Sequence, residues 1–165
     1  MNEIATRQAE QLAEILLKTS NKLVTAESCT GGGLAEILTR LPGSSAWFER
    51  GFITYSNESK QEILSVPIET LEQFGAVSEE TASAMAKGAL ENSRADYSVA
   101  ITGIAGPDGG TEDKPVGTVC FAWYSKNGDS SSTQICFDGD RLKIRQQACR
   151  LAMQGLIDLL QKISE

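Results

Sequence analysis

What most limits the fold of this chain is its alternation of short β-branched or aromatic runs with longer segments of helical period. Ala5, Ala9, Leu12 and Leu16 recur at helical spacing and predict an amphipathic opening helix ending near Ser20-Asn21. KLVTA then reads as a strand, and a second helix is expected from about Thr30 to Leu41, where Pro42-Gly43 stops it. WFERGFITYS suits a strand, followed by a short helix capped by Ser56 or Asn57 and closed by Pro67. Ser78, with Glu79 and Glu80 behind it, opens a helix whose apolar face is Ala82, Met85, Ala86, Ala89 and Leu90. YSVAIT is a third strand, and VGTVCFAWYS and SSTQICFD, joined at Asn127-Gly128, read as a β-hairpin. A long helix carrying Leu142, Arg145, Ala148, Cys149, Ala152, Leu156, Leu159, Leu160 and Ile163 follows Gly139. Strands that alternate with helices build a largely parallel sheet covered on both faces, to which the hairpin adds an antiparallel strand. The expected class is therefore α/β on a mixed sheet, and residues 1–165 suit one domain.

In such sheets ligands sit beyond the carboxyl ends of strands, and three polar junctions lie at such ends: AESCTGG, YSNESK and TGIAGPDGG. At the first, Gly31, Gly32 and Gly33 let backbone approach a ligand, and the helix behind offers free N–H groups and a positive dipole end. The plainer account is that Ser28 or Thr30 caps that helix and the glycines serve a tight turn. The stretch is neither a Walker A loop nor a Gly-x-Ser-x-Gly elbow. The second junction offers Tyr55, Asn57 and Lys60, with Lys60 in the first turn of its helix, where the dipole pushes a cation toward neutrality. A solvated surface lysine is the alternative. At the third, Gly103, Gly106, Gly109 and Gly110 suit a loop wrapped on a ligand, with Thr102 at the strand end, or a mobile surface loop. Arg141, Lys143 and Arg145 open the last helix as a compact cationic set. One arginine there can hold a phosphate in bidentate fashion, or the set is a solvated helix face.

The chain contains no histidine, which excludes a Ser-His-Asp triad, a Cys-His dyad and imidazole-held zinc. A hydrolase built on it needs a lysine, a carboxylate, or water on an oxygen-held metal, and the acids are scattered along helices rather than clustered for a metal. Ser28 has no other plausible base than Lys60. An ordinary lysine, of pKa about 10.4, is neutral in about one molecule in 2,500 at pH 7, a handicap of about 4.6 kcal/mol. Burial or a cationic substrate lowers that handicap. Cys29 ranks second as nucleophile; Cys120, Cys136 and Cys149 read as small core residues. A net charge of −7 argues against a nucleic-acid surface. No apolar run approaches the roughly 20 residues of a membrane helix. The acid-bearing amphipathic start is neither a signal nor a transit peptide, so reduced thiols in a cytoplasmic protein are expected. A homo-oligomer is expected from general tendency alone.

With AESCTGG, GSSAWFERGFITYSNESK, GAVSEET and TGIAGPDGGTEDKPVGTV in view, the chain resembles the nicotinamide-nucleotide amidase family along essentially its whole length. That domain occurs at the C-terminus of competence/damage-inducible CinA proteins and also free-standing, the form this length matches. The resemblance implies a three-layer α/β/α sandwich. It also implies hydrolysis of nicotinamide mononucleotide to nicotinic acid mononucleotide and ammonia, by a serine–lysine mechanism without metal or cofactor. By motif, Ser28 is the implied nucleophile, Lys60 its base and Tyr55 a residue that orients Lys60 or relays its proton. Backbone N–H groups around Thr30 and Gly31 are then expected to meet the oxyanion, with Gly32 also in the substrate-binding set. Asn57, Thr102, Gly103, Gly106 and either Arg141 or Arg145 are expected to bind the nucleotide. Two rival readings are a non-catalytic nucleotide-binding or regulatory module and a Ser–Lys amidase for another small amide.

Overall fold

A computed structural model describes residues 3–164. The β-branched and aromatic runs form five strands, β1 (Leu23–Glu27), β2 (Phe48–Ile53), β3 (Tyr97–Gly103), β4 (Thr118–Ser125) and β5 (Ser130–Cys136), ordered β2-β1-β3-β4-β5. Strand β1 pairs in parallel with β2 and β3, β4 runs antiparallel to β3, and β5 antiparallel to β4. Four of the five strands thus share one direction and β4 alone opposes it, which is the mixed, mostly parallel sheet expected.

Side chains alternate across the pleat and divide the core in two. Val99, Ile101, Val119, Phe121 and Trp123 face helices α1 (Glu3–Thr19), α2 (Gly33–Thr39) and α6 (Arg141–Ser164). Their neighbours Val24, Ala26, Ala100, Cys120 and Ala122 face α3 (Asn57–Leu64), α4 (Ile68–Phe74) and α5 (Glu79–Glu91). The second side is built of small residues, so its helices come close. A Cβ added at Gly88 of α5 would sit 1.9 Å from the Leu64 carbonyl oxygen that ends α3. On the first side, the Trp123 indole lies against Gly155 and donates to the Ala152 carbonyl at 2.9 Å.

The structure corrects several local expectations. Helix α2 begins at Gly33 rather than Thr30, because Gly31 and Gly32 hold φ of +58° and +96°, outside any right-handed helix. Strand β2 ends at Ile53 rather than Ser56, where β1 itself ends: Thr54 N–H bonds the Glu27 carbonyl at 2.9 Å and the chain leaves the sheet. Helix α3 stops at Leu64, with Ser65 at φ 56°, and Pro67 instead caps α4, a seven-residue helix too short to show a period in sequence. Ser78 caps α5 as expected, accepting from Thr81 N–H at 3.1 Å. Cys136 is exposed, not core, because β5 is an edge strand with little packed over it. No helix among the described residues is long and apolar enough to cross a membrane. Register aligns Glu27 with Ile53 on one side and Ile101 on the other, and β3 runs on to Gly103, so the ends of the first three strands lie close together and their polar junctions meet.

Candidate active site

Ser28 is the first residue beyond β1, and its N–H extends the ladder by bonding the Ile101 carbonyl at 2.9 Å. The chain then turns twice. Gly31 N–H bonds the Ser28 carbonyl at 3.0 Å, and Gly33 N–H bonds that of Thr30 at 2.9 Å. The two left-handed φ values at Gly31 and Gly32 are those of a type I′ turn, which strains any residue with a side chain. Helix α3 approaches from the other side of β1, its start fixed by the Ser56 hydroxyl accepting from Ser59 N–H at 3.0 Å.

Lys60, one turn into α3, is 1% exposed, and Ser28 is 8% exposed. Lys60 Nζ donates to the main-chain carbonyls of Thr54 (2.9 Å) and Tyr55 (3.2 Å) and lies 3.1 Å from Ser28 Oγ. No ion pair among the described residues includes Lys60. Burial without a counter-charge pushes its pKa below the ordinary lysine range. Three oxygens surround the amine, two carbonyls and the Ser28 hydroxyl: a charged amine donates to all three, and an uncharged one donates to the carbonyls and turns its lone pair to the hydroxyl.

These groups open on a cleft of about 270 Å³. Ser28 comes from the first junction, Tyr55, Asn57 and Lys60 from the second, and Thr102, Gly103 and Gly106 from the third, with Arg141 at the start of α6. Arg141 bridges two of them, its Nη1 donating to the Gly106 carbonyl at 2.8 Å and its Nη2 to the Tyr55 phenol at 3.2 Å. The contact of Tyr55 with Lys60 is therefore through its carbonyl, while the phenol, in a side chain 60% exposed, serves Arg141. Thr102 lines the cleft, but its hydroxyl donates to the Ala76 carbonyl at 2.8 Å.

Four residues expected to bind substrate stand apart from this cleft. The Thr30 hydroxyl donates to Glu27 at 2.7 Å, and Gly31 N–H is committed to the Ser28 carbonyl. Gly32 backs onto Ile53, whose Cδ1 would be 2.8 Å from an added Cβ. Arg145 donates from Nε to the Cys29 carbonyl at 3.2 Å and from Nη2 to the Thr30 carbonyl at 3.0 Å. Sequence reasoning also passed over Glu27. It is 1% exposed and accepts from Thr30 Oγ1, from Leu34 N–H at 2.8 Å and from Ala35 N–H at 3.0 Å. Glu27, not Ser28, Thr30 or a bound anion, thus satisfies the start of α2. An acid at a strand end directly before a glycine turn was the available signal. Asp108, the only carboxylate lining the cleft among the described residues, was not among the expected site residues.

Residues 5–160 match the family described as the CinA C-terminal domain. This chain belongs to that family. The nicotinamide-nucleotide amidohydrolase PncC of Escherichia coli (strain K12) is 53% identical over 148 residues, 90% of this chain and 90% of that protein. Its namesake from Pseudomonas putida is 50% identical over 157 residues, covering 93% and 96%. The crystal structure of competence/damage inducible protein CihA from Agrobacterium tumefaciens is similar with a TM-score of 0.94 at 44% identity, covering 96% of this chain and 97% of that one.

Elsewhere in this CinA C-terminal domain, a larger cavity of about 580 Å³ lies against Trp123, Leu151 and Gly155. Ser130, Ser131 and Lys162 line it, but among the described residues no hydrogen bond joins that lysine to either serine, so chemistry rather than volume identifies the site. Cys29 touches the cleft, but burial pushes its thiol up to about 11, leaving it protonated and a poor nucleophile at neutral pH. Among the described residues, no three Cys, Asp or Glu side chains gather in a way that would hold a metal ion.

Proposed function

We propose that this chain hydrolyses the carboxamide of nicotinamide mononucleotide, giving nicotinic acid mononucleotide and ammonia, with Ser28 as nucleophile and Lys60 as its base. One observation carries the mechanism: a lysine amine buried without a counter-charge, 3.1 Å from a serine hydroxyl at the mouth of a cleft. The substrate follows from relatives at 50–53% identity that are named for that activity.

The Ser28 oxygen attacks the amide carbon as its proton passes to the Lys60 lone pair. The resulting ammonium then protonates the departing nitrogen, the C–N bond breaks, and ammonia leaves an ester on Ser28. Water, deprotonated by the regenerated amine, cleaves that ester and restores both groups. The Cys29 carbonyl is turned onto Arg145, so the N–H of the same trans peptide, that of Thr30, points away from Arg145; although the Thr30 side chain stands apart from the cleft, this N–H is our candidate oxyanion donor. Arg141, the guanidinium that lines the cleft, is the candidate for the phosphate. A pyridinium bound beside Lys60 would hold the amine uncharged.

Replacing Ser28 with Ala is expected to abolish ammonia release while the mononucleotide still raises the melting temperature. Undiminished turnover would remove Ser28 from the chemistry. Wild-type protein that is stabilised by the mononucleotide but yields no ammonia would instead mark a binding module. A panel of the mononucleotide, the dinucleotide, free nicotinamide and unrelated small amides separates this reading from that of an amidase for another substrate.

A further inference from the structure

Arg141 and Arg145 lie one turn apart on the same face of α6, yet they meet different things. Arg141 lines the cleft; Arg145 does not. The Arg145 bonds run to the carbonyls of Cys29 and Thr30, the two that directly follow that of Ser28. Across the turn, Glu27 binds the opposite chemical set, the Thr30 hydroxyl and the N–H groups of Leu34 and Ala35. A cation thus holds the carbonyls of the segment and an anion holds its donors. Arg145 Nη2 packs over Gly31, 3.5 Å from where a Cβ would stand, an ordinary contact, so it is the φ of +58° rather than space that favours glycine there.

We infer that Arg145 is a positioning residue that sets the Ser28 turn through these two carbonyls, and is not a ligand of the substrate phosphate. The Nε–Nη2 edge, one of the two edges by which a guanidinium grips an anion in bidentate fashion, is already engaged on main chain, and the side chain lies outside the lining of the cleft. The turn is held at its start by Ser28 N–H on the Ile101 carbonyl and at Thr30 by Glu27, which leaves the orientation of the Cys29 and Thr30 carbonyls between them to Arg145. Rotation of the turn would swing Ser28 Oγ away from Lys60 and turn the Cys29 carbonyl toward the reacting centre, where it would repel an oxyanion. Misplacement by about 1 Å costs about a hundredfold in rate.

The inference rests on the amidase reading for its kinetic arm and on the structure alone for its second arm. Full-length wild type, R145A, R145K and R141A are compared for ammonia release from nicotinamide mononucleotide and from the phosphate-free riboside. R145A is expected to lower kcat by about 10- to 100-fold on both substrates, with KM within about twofold of wild type. R145K, whose single ammonium cannot span both carbonyls with the fork's geometry, is expected to fall between them. R141A is expected to raise KM for the mononucleotide alone. A rise in KM for R145A confined to the mononucleotide would overturn the inference. In the second arm, hydrogen exchange of the Gly31 and Gly33 amides is expected to speed up in R145A, or in R145K if R145A does not fold. Unchanged exchange there overturns the inference whatever the kinetics. If the wild type releases no ammonia from either substrate, the amidase reading fails and the exchange measurement still decides the role of Arg145.

Discussion

Lys60 is one of the largest fully buried side chains in the protein, and its isolation from any carboxylate gives it a testable titration. Its folded-state pKa lies below that of the unfolded chain because burial disfavours the charged form. Between the two values the unfolded state binds more protons, so stability rises with pH across that window, by about 1.4 kcal/mol for each unit separating them. Below the folded value the full cost remains. Lys60→Met removes the titrating group. Its stability relative to wild type is expected to be greatest near neutral pH and to decline toward pH 10, as measured by urea unfolding at each pH. A pH-independent difference would mean that Lys60 keeps its ordinary pKa. The same deprotonation is expected in kcat/KM, which should rise with pH and level off below the ordinary lysine range.

At the scale of elements, the site depends on how closely α3 lies against α5. The absent side chain at Gly88 admits the Leu64 carbonyl, and Lys60 sits one turn before that carbonyl on the same helix. Gly88→Ala forces the two helices apart, because the obstructing atom is backbone and cannot rotate away. Overpacking of this kind costs about 1–3 kcal/mol. The expected result is a lower urea midpoint together with a lower kcat, since α3 carries the amine. A loss of stability with kcat unchanged would show that Lys60 is held by its carbonyl partners rather than by the seating of α3. The alanine-rich face of α5 was legible in the sequence as a sign of close packing. The partner of Gly88 was not, because it is a main-chain oxygen 24 residues earlier, and composition carries no trace of it.

At the scale of the whole molecule, the four cysteines sample both sides of the sheet and one of its edges. Cys29 and Cys149 belong to the core under α1, α2 and α6, Cys120 to the opposite core, and Cys136 lies exposed on β5. Burial pushes the Cys120 thiol up to about 12 and Cys29 up to about 11, so neither offers thiolate at neutral pH. A thiol reagent is expected to modify Cys136 promptly. The other three should follow together at the rate of global opening, as for a chain that unfolds as one unit. Mass spectrometry of the labelled peptides reads this directly. Early modification of Cys29 alone would mean that the Ser28 turn opens by itself.

Local patterns in the sequence were enough to establish the α/β class, the strand positions, the cap at Ser78 and the three polar junctions. Period-two and period-3.6 hydrophobicity and turn chemistry are properties of neighbouring residues. The absence of histidine likewise narrowed the possible bases before any coordinates were known. Three things were decided only in space. Glu27 anchors α2 from seven and eight residues away, Lys60 reaches Ser28 across 32, and Arg145 reaches the Cys29 carbonyl across 116. Each depends on strand register and helix seating, which set where a side chain ends, whereas its identity sets only what it does on arrival.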